Sequence, residues 1–177
     1  VVNVNSNGFN ISCNGASDGE ITASAGGGTG TFTYSIDGIN FQSSPVFSNL
    51  GPGDHTITYK DANNCIALQI FTLIEPIALS GPASATVISC LGGNSGEATV
   101  IASGGFPFTG SPAYTYLWND DIAQNTDTAV ALSVNSSPLN SDTIYNCIVT
   151  DASGCVVTLD LPVFQPSELE VKIIDSI

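Results

Sequence analysis

The chain has 177 residues, with 16 acidic residues set against two lysines, Lys60 and Lys172, and a formal net charge of −14. Two lysines cannot neutralise a run of phosphates, so nucleic acid is excluded as a partner, and the same charge opposes anionic lipid headgroups. At 42% hydrophobic and 10% charged residues the chain is too apolar for a disordered acidic tail and should fold.

Short strands alternate with turn signals along the first part of the chain. The pattern predicts strands near 1–5, 9–13, 20–25, 32–36, 46–50, 55–60 and 65–73. Ser17-Asp18-Gly19, Gly26-Gly27-Gly28, Asp37-Gly38, Gly51-Pro52-Gly53 and Asn63-Asn64 separate them, supplying positive φ or a preset φ. No window shows a helical period. In the hairpin 55–73, Ile57 and Tyr59 alternate with Thr56 and Thr58, which predicts a core face and an outer face. The longest apolar run, 66–74, is broken by Gln69 and Thr72 and falls short of the roughly 20 residues of a spanning helix, so no membrane insertion is expected. The absence of Met and of a basic-then-apolar leader reads as a stretch from within a longer mature protein.

The same order of motifs then recurs. Ile11-Ser12-Cys13, Gly19-Glu20 and Gly27-Gly28 return as Ile88-Ser89-Cys90, Gly96-Glu97 and Gly104-Gly105, all at an offset of 77. Phe32-Thr33-Tyr34 matches Tyr114-Thr115-Tyr116 at 82, and Asp61-Ala62-Asn63-Asn64-Cys65 matches Asp151-Ala152-Ser153-Gly154-Cys155 at 90. The second copy therefore gains residues around 106–112 and within 120–142, both polar and turn-rich, as loops tolerate. Two tandem antiparallel β-sandwich repeats of Ig-like type follow, 1–76 and 77–166, with 167–177 as the first strand of a further repeat. In that tail Leu169, Val171 and Ile173 alternate with Glu170 and Lys172. Its uncovered apolar face is expected to pair with a following repeat or another chain.

Five cysteines are present. Cys13 aligns with Cys90 and Cys65 with Cys155, so each repeat owns an early and a late one. Sequence alone does not fix a connectivity, but duplication of both members favours Cys13–Cys65 and Cys90–Cys155, one disulfide inside each repeat. Each would stabilise its repeat by at most about 4 kcal/mol and imply an oxidising compartment. Cys147 is left over as a free thiol. It aligns with core-facing Ile57, which reads as a small buried apolar residue rather than an interchain link.

No catalytic set emerges. The single histidine, His55, opens a strand and becomes Tyr145 in the second copy, which reads as a strand residue rather than a base. Asp120, Asp121 and Asp127 in the enlarged loop are the calcium candidates. They have no counterpart in the first copy and no calcium-loop motif, so a solvated acidic loop is the preferred reading and no cofactor is expected. Asp18, Asp61 and Asp151 read as turn caps. The glycine triplet lacks the Lys-Ser or Lys-Thr of a phosphate loop. Lys60, a candidate for an isopeptide crosslink, is Thr150 in the second copy. Trp118, Phe32, Tyr34, Tyr114 and Tyr116 suit a sandwich core better than sugar stacking.

These motifs resemble the SprB-type repeat of gliding-motility and cell-surface adhesins from Bacteroidetes. The matching residues are Cys13-Asn14-Gly15, Asp18-Gly19, Gly27-Gly28, Phe32-Thr33-Tyr34, the Asp61–Cys65 hairpin and Glu75-Pro76, with Cys90, Gly96, Gly104-Gly105, Tyr114–Trp118, Asp151–Cys155 and Gln165-Pro166 in the second copy. Leu91 and Ser95 depart from the pattern, which weakens any metal role for the acidic turn. The resemblance implies a large extracellular protein at the bacterial surface, outer-membrane-associated, exported by the type IX route, whose repeats form a filament. Its partners would be adjacent repeats, surface glycans or neighbouring filaments. Two other readings are a glycan-binding module using the enlarged loops and a noncatalytic module of a secreted hydrolase.

Overall fold

The computed structural model describes residues 1–5, 8–90, 92–134 and 143–167. The tail 168–177, and with it the expected strand through Leu169, Val171 and Ile173, lies outside the described residues, as does 135–142 of the enlarged loop. The chain divides into two compact units, Val1–Ala78 with Gly104–Phe106, and Leu79–Ser103 with Pro107–Ile177. The described residues are all-β, with no helix.

Unit 1 contains β1 (Gly19–Thr22), β2 (Thr33–Ser35), β3 (Val46–Leu50), β4 (Gly53–Lys60) and β5 (Ile66–Leu73). One sheet pairs β1 with β3 and gains a bridge from Val2 to Ile21; the other has the order β2-β4-β5. Unit 2 contains β6 (Ala83–Ala85), β7 (Gly96–Val100), β8 (Thr115–Trp118), β9 (Thr128–Leu132), β10 (Thr143–Thr150) and β11 (Val156–Val163). Its sheets have the orders β6-β7-β9 and β8-β10-β11. Every strand pair is antiparallel. Each unit thus closes two small sheets over one core, the Ig-like sandwich the sequence predicts.

The long hairpin keeps one register in both copies: Gly53 faces Leu73 and Lys60 faces Ile66, as Thr143 faces Val163 and Thr150 faces Val156. Ile57 and Tyr59 enter the core, and so do Cys147 and Val149 at the aligned positions. On the outer face Thr56 is exposed, but Thr58 is buried. The stretch expected as a strand at 9–13 is a bend. Asn10 is the reason: its Oδ1 accepts from Ile74 N at 2.8 Å, taking the place of a ladder carbonyl, while Asn10 N and Ile11 N share Ile74 O.

The two cores use aromatic bulk differently. Unit 1 buries Phe47 and Tyr59 with Ile11, Ile21, Ala23, Ile57 and Leu73. In unit 2 the positions of Phe47 and Tyr59 hold Ala129 and Val149, and Trp118 stands where unit 1 has the partly buried Ile36. Trp118 is 1% exposed. Volume removed at two positions is restored at a third, the kind of exchange a close-packed core accepts.

The expected disulfides Cys13–Cys65 and Cys90–Cys155 are not formed. Cys65 and Cys90 are exposed free thiols, whereas Cys13 and Cys155 are disulfide-bonded. The reason is length. Cys13 lies beside the end of β5, where Asn14 Nδ2 donates to Pro76 O and Gly15 N to Glu75 Oε2. Cys65 lies in the turn before β5 begins, its amide held by Asp61 Oδ1. Eight residues of strand separate them, about 25 Å at ~3.3 Å per residue, whereas bridged Cα atoms lie within about 7 Å. Cys90 and Cys155 occupy the same two ends relative to β11.

Candidate functional site

The acidic residues that stand out in the sequence are engaged in holding backbone. Asp61 accepts from Asn63 N and Cys65 N through Oδ1 and from Thr29 N through Oδ2, at 2.8–3.0 Å. The Cys65 amide is the largest of the influences that hold this carboxyl below its ordinary range. Asp151, 1% exposed, accepts from Ser153 N and Cys155 N in the same geometry. Asp18 accepts from Ser12 N at 3.1 Å, and hydrogen bonds from Ser12 lower its pKa. In unit 2 the Ser95 hydroxyl accepts from Ser89 N instead. An alcohol can therefore do the work of this carboxylate, which makes the turn a cap.

His55 and Tyr145 share a role that their chemistry conceals. The His55 Nε2 lies 2.9 Å from Gly51 O, and since a carbonyl only accepts, that nitrogen carries the proton. The Tyr145 hydroxyl donates to Ser133 O at 2.7 Å and accepts from Ser133 N. Gly51 and Ser133 each follow the strand that precedes the long hairpin, so both side chains pin the same connection. Lys60 extends over the Phe41 ring, with Nζ 3.9 Å from its centroid.

Unit 2 gathers its two enlargements around one groove. A cavity of ≈ 500 Å³ is lined by Ser111 and Pro112 near the first insertion, Asn125, Thr126 and Asp127 from the second, and Tyr114 and Tyr116 between them. Burial raises the pKa of Tyr116. The second loop is held from within. Trp118 Nε1 donates to Thr126 O at 2.8 Å, and Gln124 bonds both Asp120 carboxylate oxygens while its side chain also pairs with Val130 N and O. Gln124 is the organiser that sequence reading missed, because an inserted loop has no period to expose it. Asp121 and Asp127 are exposed, and no three acidic, histidine or cysteine groups gather as a metal site among the described residues. Trp118 is a core residue, 1% exposed, and a loop anchor.

The related end of unit 1 has a cavity of ≈ 350 Å³ that includes Ala25, Gly28, Phe32, Asp61 and Cys65. Ala25 and Phe32 align with Ala102 and Tyr114 of the unit 2 groove, so insertion has re-lined one place in the fold. The outer face of β5 shows Ile66, Leu68 and Ile70, at 63%, 66% and 63% exposure, where β11 has Val156, Thr158 and Asp160.

The fold and the duplication define a tandem module of Ig-like β-sandwiches. Its sequence relationship is more specific: residues 6–41 and 83–121 match the family model described as the SprB repeat, one segment in each unit, so the resemblance read from the motifs holds. SprB repeats occur in cell-surface proteins. No curated protein matches the chain. Among solved structures it is similar to three N-terminal domains of the bacteriophage RB49 highly immunogenic outer capsid protein Hoc, at 13% identity and a TM-score of 0.45, covering 93% of this chain and 59% of that one. It is also similar to fibronectin(III)-like modules of Clostridium thermocellum CbhA, at 11% identity and a TM-score of 0.32, covering 91% of this chain and 92% of that one. No helix among the described residues is long and apolar enough to cross a membrane.

Proposed function

We propose that the chain is a noncatalytic structural segment of a large secreted bacterial adhesin, a spacer within an outer-membrane-associated filament that serves adhesion or gliding motility and leaves the cell by the type IX route. The observation that carries this reading is the duplication of one sandwich with its wiring intact. Both copies keep the long hairpin register, the capped Asp turn and the pinned connection, while the residues that could bear chemistry change identity between them. Selection for a building element keeps the frame and lets such side chains drift. Antibodies raised against the folded chain should label intact cells of the producing bacterium, and brief protease treatment of those cells should remove the signal. Labelling that appears only after lysis overturns the reading.

A second reading has its own support in the unit 2 groove, where both enlarged loops and two tyrosines meet. Such a surface suits a surface glycan. A glycan array probed with the chain, and with a variant lacking 121–127, separates the two: hits that vanish with the loop favour binding, and a blank array favours the spacer.

A further inference from the structure

The cysteines of each repeat fall into two types by position: early, at the end of the closing strand, and hairpin, at its start. The length of β5 or β11 forbids a bond between the two within one repeat. Yet one member of each type is oxidised, the early Cys13 and the hairpin Cys155. The other member of each type, Cys90 and Cys65, is an exposed free thiol. Both positions therefore form disulfides in this fold, and the length of the closing strand keeps the two types apart within one sandwich.

We propose that Cys65 and Cys90 are linking thiols that join this module covalently to flanking repeats, Cys90 to the hairpin-type cysteine of one SprB-type repeat and Cys65 to the early-type cysteine of another. The inference rests on the tandem-repeat reading above and adds its linkage chemistry. One further observation supports it. The formal charge of −14 opposes end-to-end association of copies by noncovalent contact alone, and a covalent bond overcomes that repulsion.

The bond forms by thiol–disulfide exchange with an external disulfide. One thiolate attacks it to give a mixed disulfide, and the second thiolate displaces the remaining half. One S–S bond forms, and the external disulfide leaves as two thiols that carry the two electrons and two protons.

The chain holds one free thiol of each type, so it serves as its own probe. Treated with oxidised glutathione, it should give a ladder of head-to-tail oligomers on non-reducing gels that a reductant collapses. Peptide mapping should find Cys65 joined to Cys90. Cys65→Ser and Cys90→Ser should each lose every band above monomer, and an equimolar mixture of the two should yield dimer alone. Single variants that dimerise as readily as the mixture, or links mapped mainly as Cys65–Cys65 and Cys90–Cys90, overturn the proposal in favour of indiscriminate oxidation of exposed thiols. So does a wild-type chain that stays monomeric while Cys13 and Cys155 remain oxidised. None of these failures alters the cell-labelling result, so the two readings fail separately.

Discussion

The first repeat buries Phe47 and Tyr59 where the second has Ala129 and Val149, and the second answers with Trp118. The first caps its early turn with the Asp18 carboxylate and the second with the Ser95 hydroxyl. The first pins the connection into its long hairpin with His55, the second with Tyr145. In each case a bond or a filled volume survives while the residue supplying it changes. What the two copies hold in common is backbone: the hairpin register, the Asp-capped turn, and a glycine at the start of β1 and β7. Side chains at the surface, such as Ile66, Leu68 and Ile70 against Val156, Thr158 and Asp160, drift further still.

The sharpest break in this comparison is Trp118→Ala. It removes the largest buried side chain of the second core and the bond from Nε1 to Thr126 O. A loss of about 3–5 kcal/mol is expected from denaturant unfolding. Hydrogen exchange should place that loss in the second repeat and in loop 119–127. Ile36→Ala, at the aligned but only partly buried position, should cost clearly less. Equal costs would mean that aromatic bulk has not moved between the cores.

The shared glycines give the next effect. A Cβ on Gly19 would lie 2.6 Å from Ile11 Cδ1, 2.7 Å from Leu73 Cδ1 and 2.8 Å from Leu50 O. On Gly96 it would meet Leu132 O at 2.8 Å, with its other neighbours beyond 3.0 Å. Gly19→Ala should therefore cost about 1–3 kcal/mol by overpacking, and Gly96→Ala less. The order of the two midpoints in a denaturant titration tests this.

Duplication is also what made so much of the fold legible. The alternation of Ile57 and Tyr59 with threonines predicts a half-buried hairpin, and it places Ile57 and Tyr59 in the core and Thr56 in solvent, although Thr58 is buried as well. Alignment then carries that face onto Cys147 and Val149 without any period of their own. Two things stayed hidden for physical reasons. The stretch 9–13 looks like a strand because its residues suit one, but a single side chain, Asn10, replaces the ladder carbonyl and bends it. The cysteine pairs looked local because both members are duplicated. Duplication reveals that a position matters without revealing which end of an eight-residue strand it occupies. The groove of the second repeat was foreseen only as two enlarged loops, since contacts between insertions leave no trace in composition.

Cys147 offers a finer contrast. Burial pushes its thiol up to about 11, with the Leu117 backbone pulling the other way. Under native conditions an alkylating reagent should modify Cys65 and Cys90 and reach Cys147 only on unfolding, read as two mass increments and then a third. Because the folded thiol titrates above its ordinary value of 9.0, its contribution is fully present below that pH and lost as pH rises toward about 11. Cys147→Val, nearly volume-conserving, should change neutral stability by less than about 1.5 kcal/mol. It should also flatten the alkaline slope of the second repeat above pH 9.0, whereas the first repeat, with Ile57 there, keeps only the slope that starts higher, from Tyr59, whose pKa burial raises.

The acid side reverses the asymmetry and gives the smallest effect. Asp18 is held below its ordinary value of 3.8 chiefly by hydrogen bonding with Ser12. A depressed carboxyl contributes stability that is present above pH 3.8 and fades as pH falls through its folded value. Ser95 makes the corresponding bond with a group that does not titrate. Asp18→Ser should thus leave the first repeat nearly as stable at neutral pH and weaken its acid dependence below pH 4. Ser95→Asp should give this turn of the second repeat an acid dependence that the hydroxyl cannot supply. Hydrogen exchange of the Ser12 and Ser89 amides across that pH range reads both changes in one chain. If Asp18→Ser instead lowers neutral stability as much as Asp18→Ala, the carboxylate does something a hydroxyl cannot. The equivalence of the two turns would then fail where a carboxylate in one stands against a hydroxyl in the other.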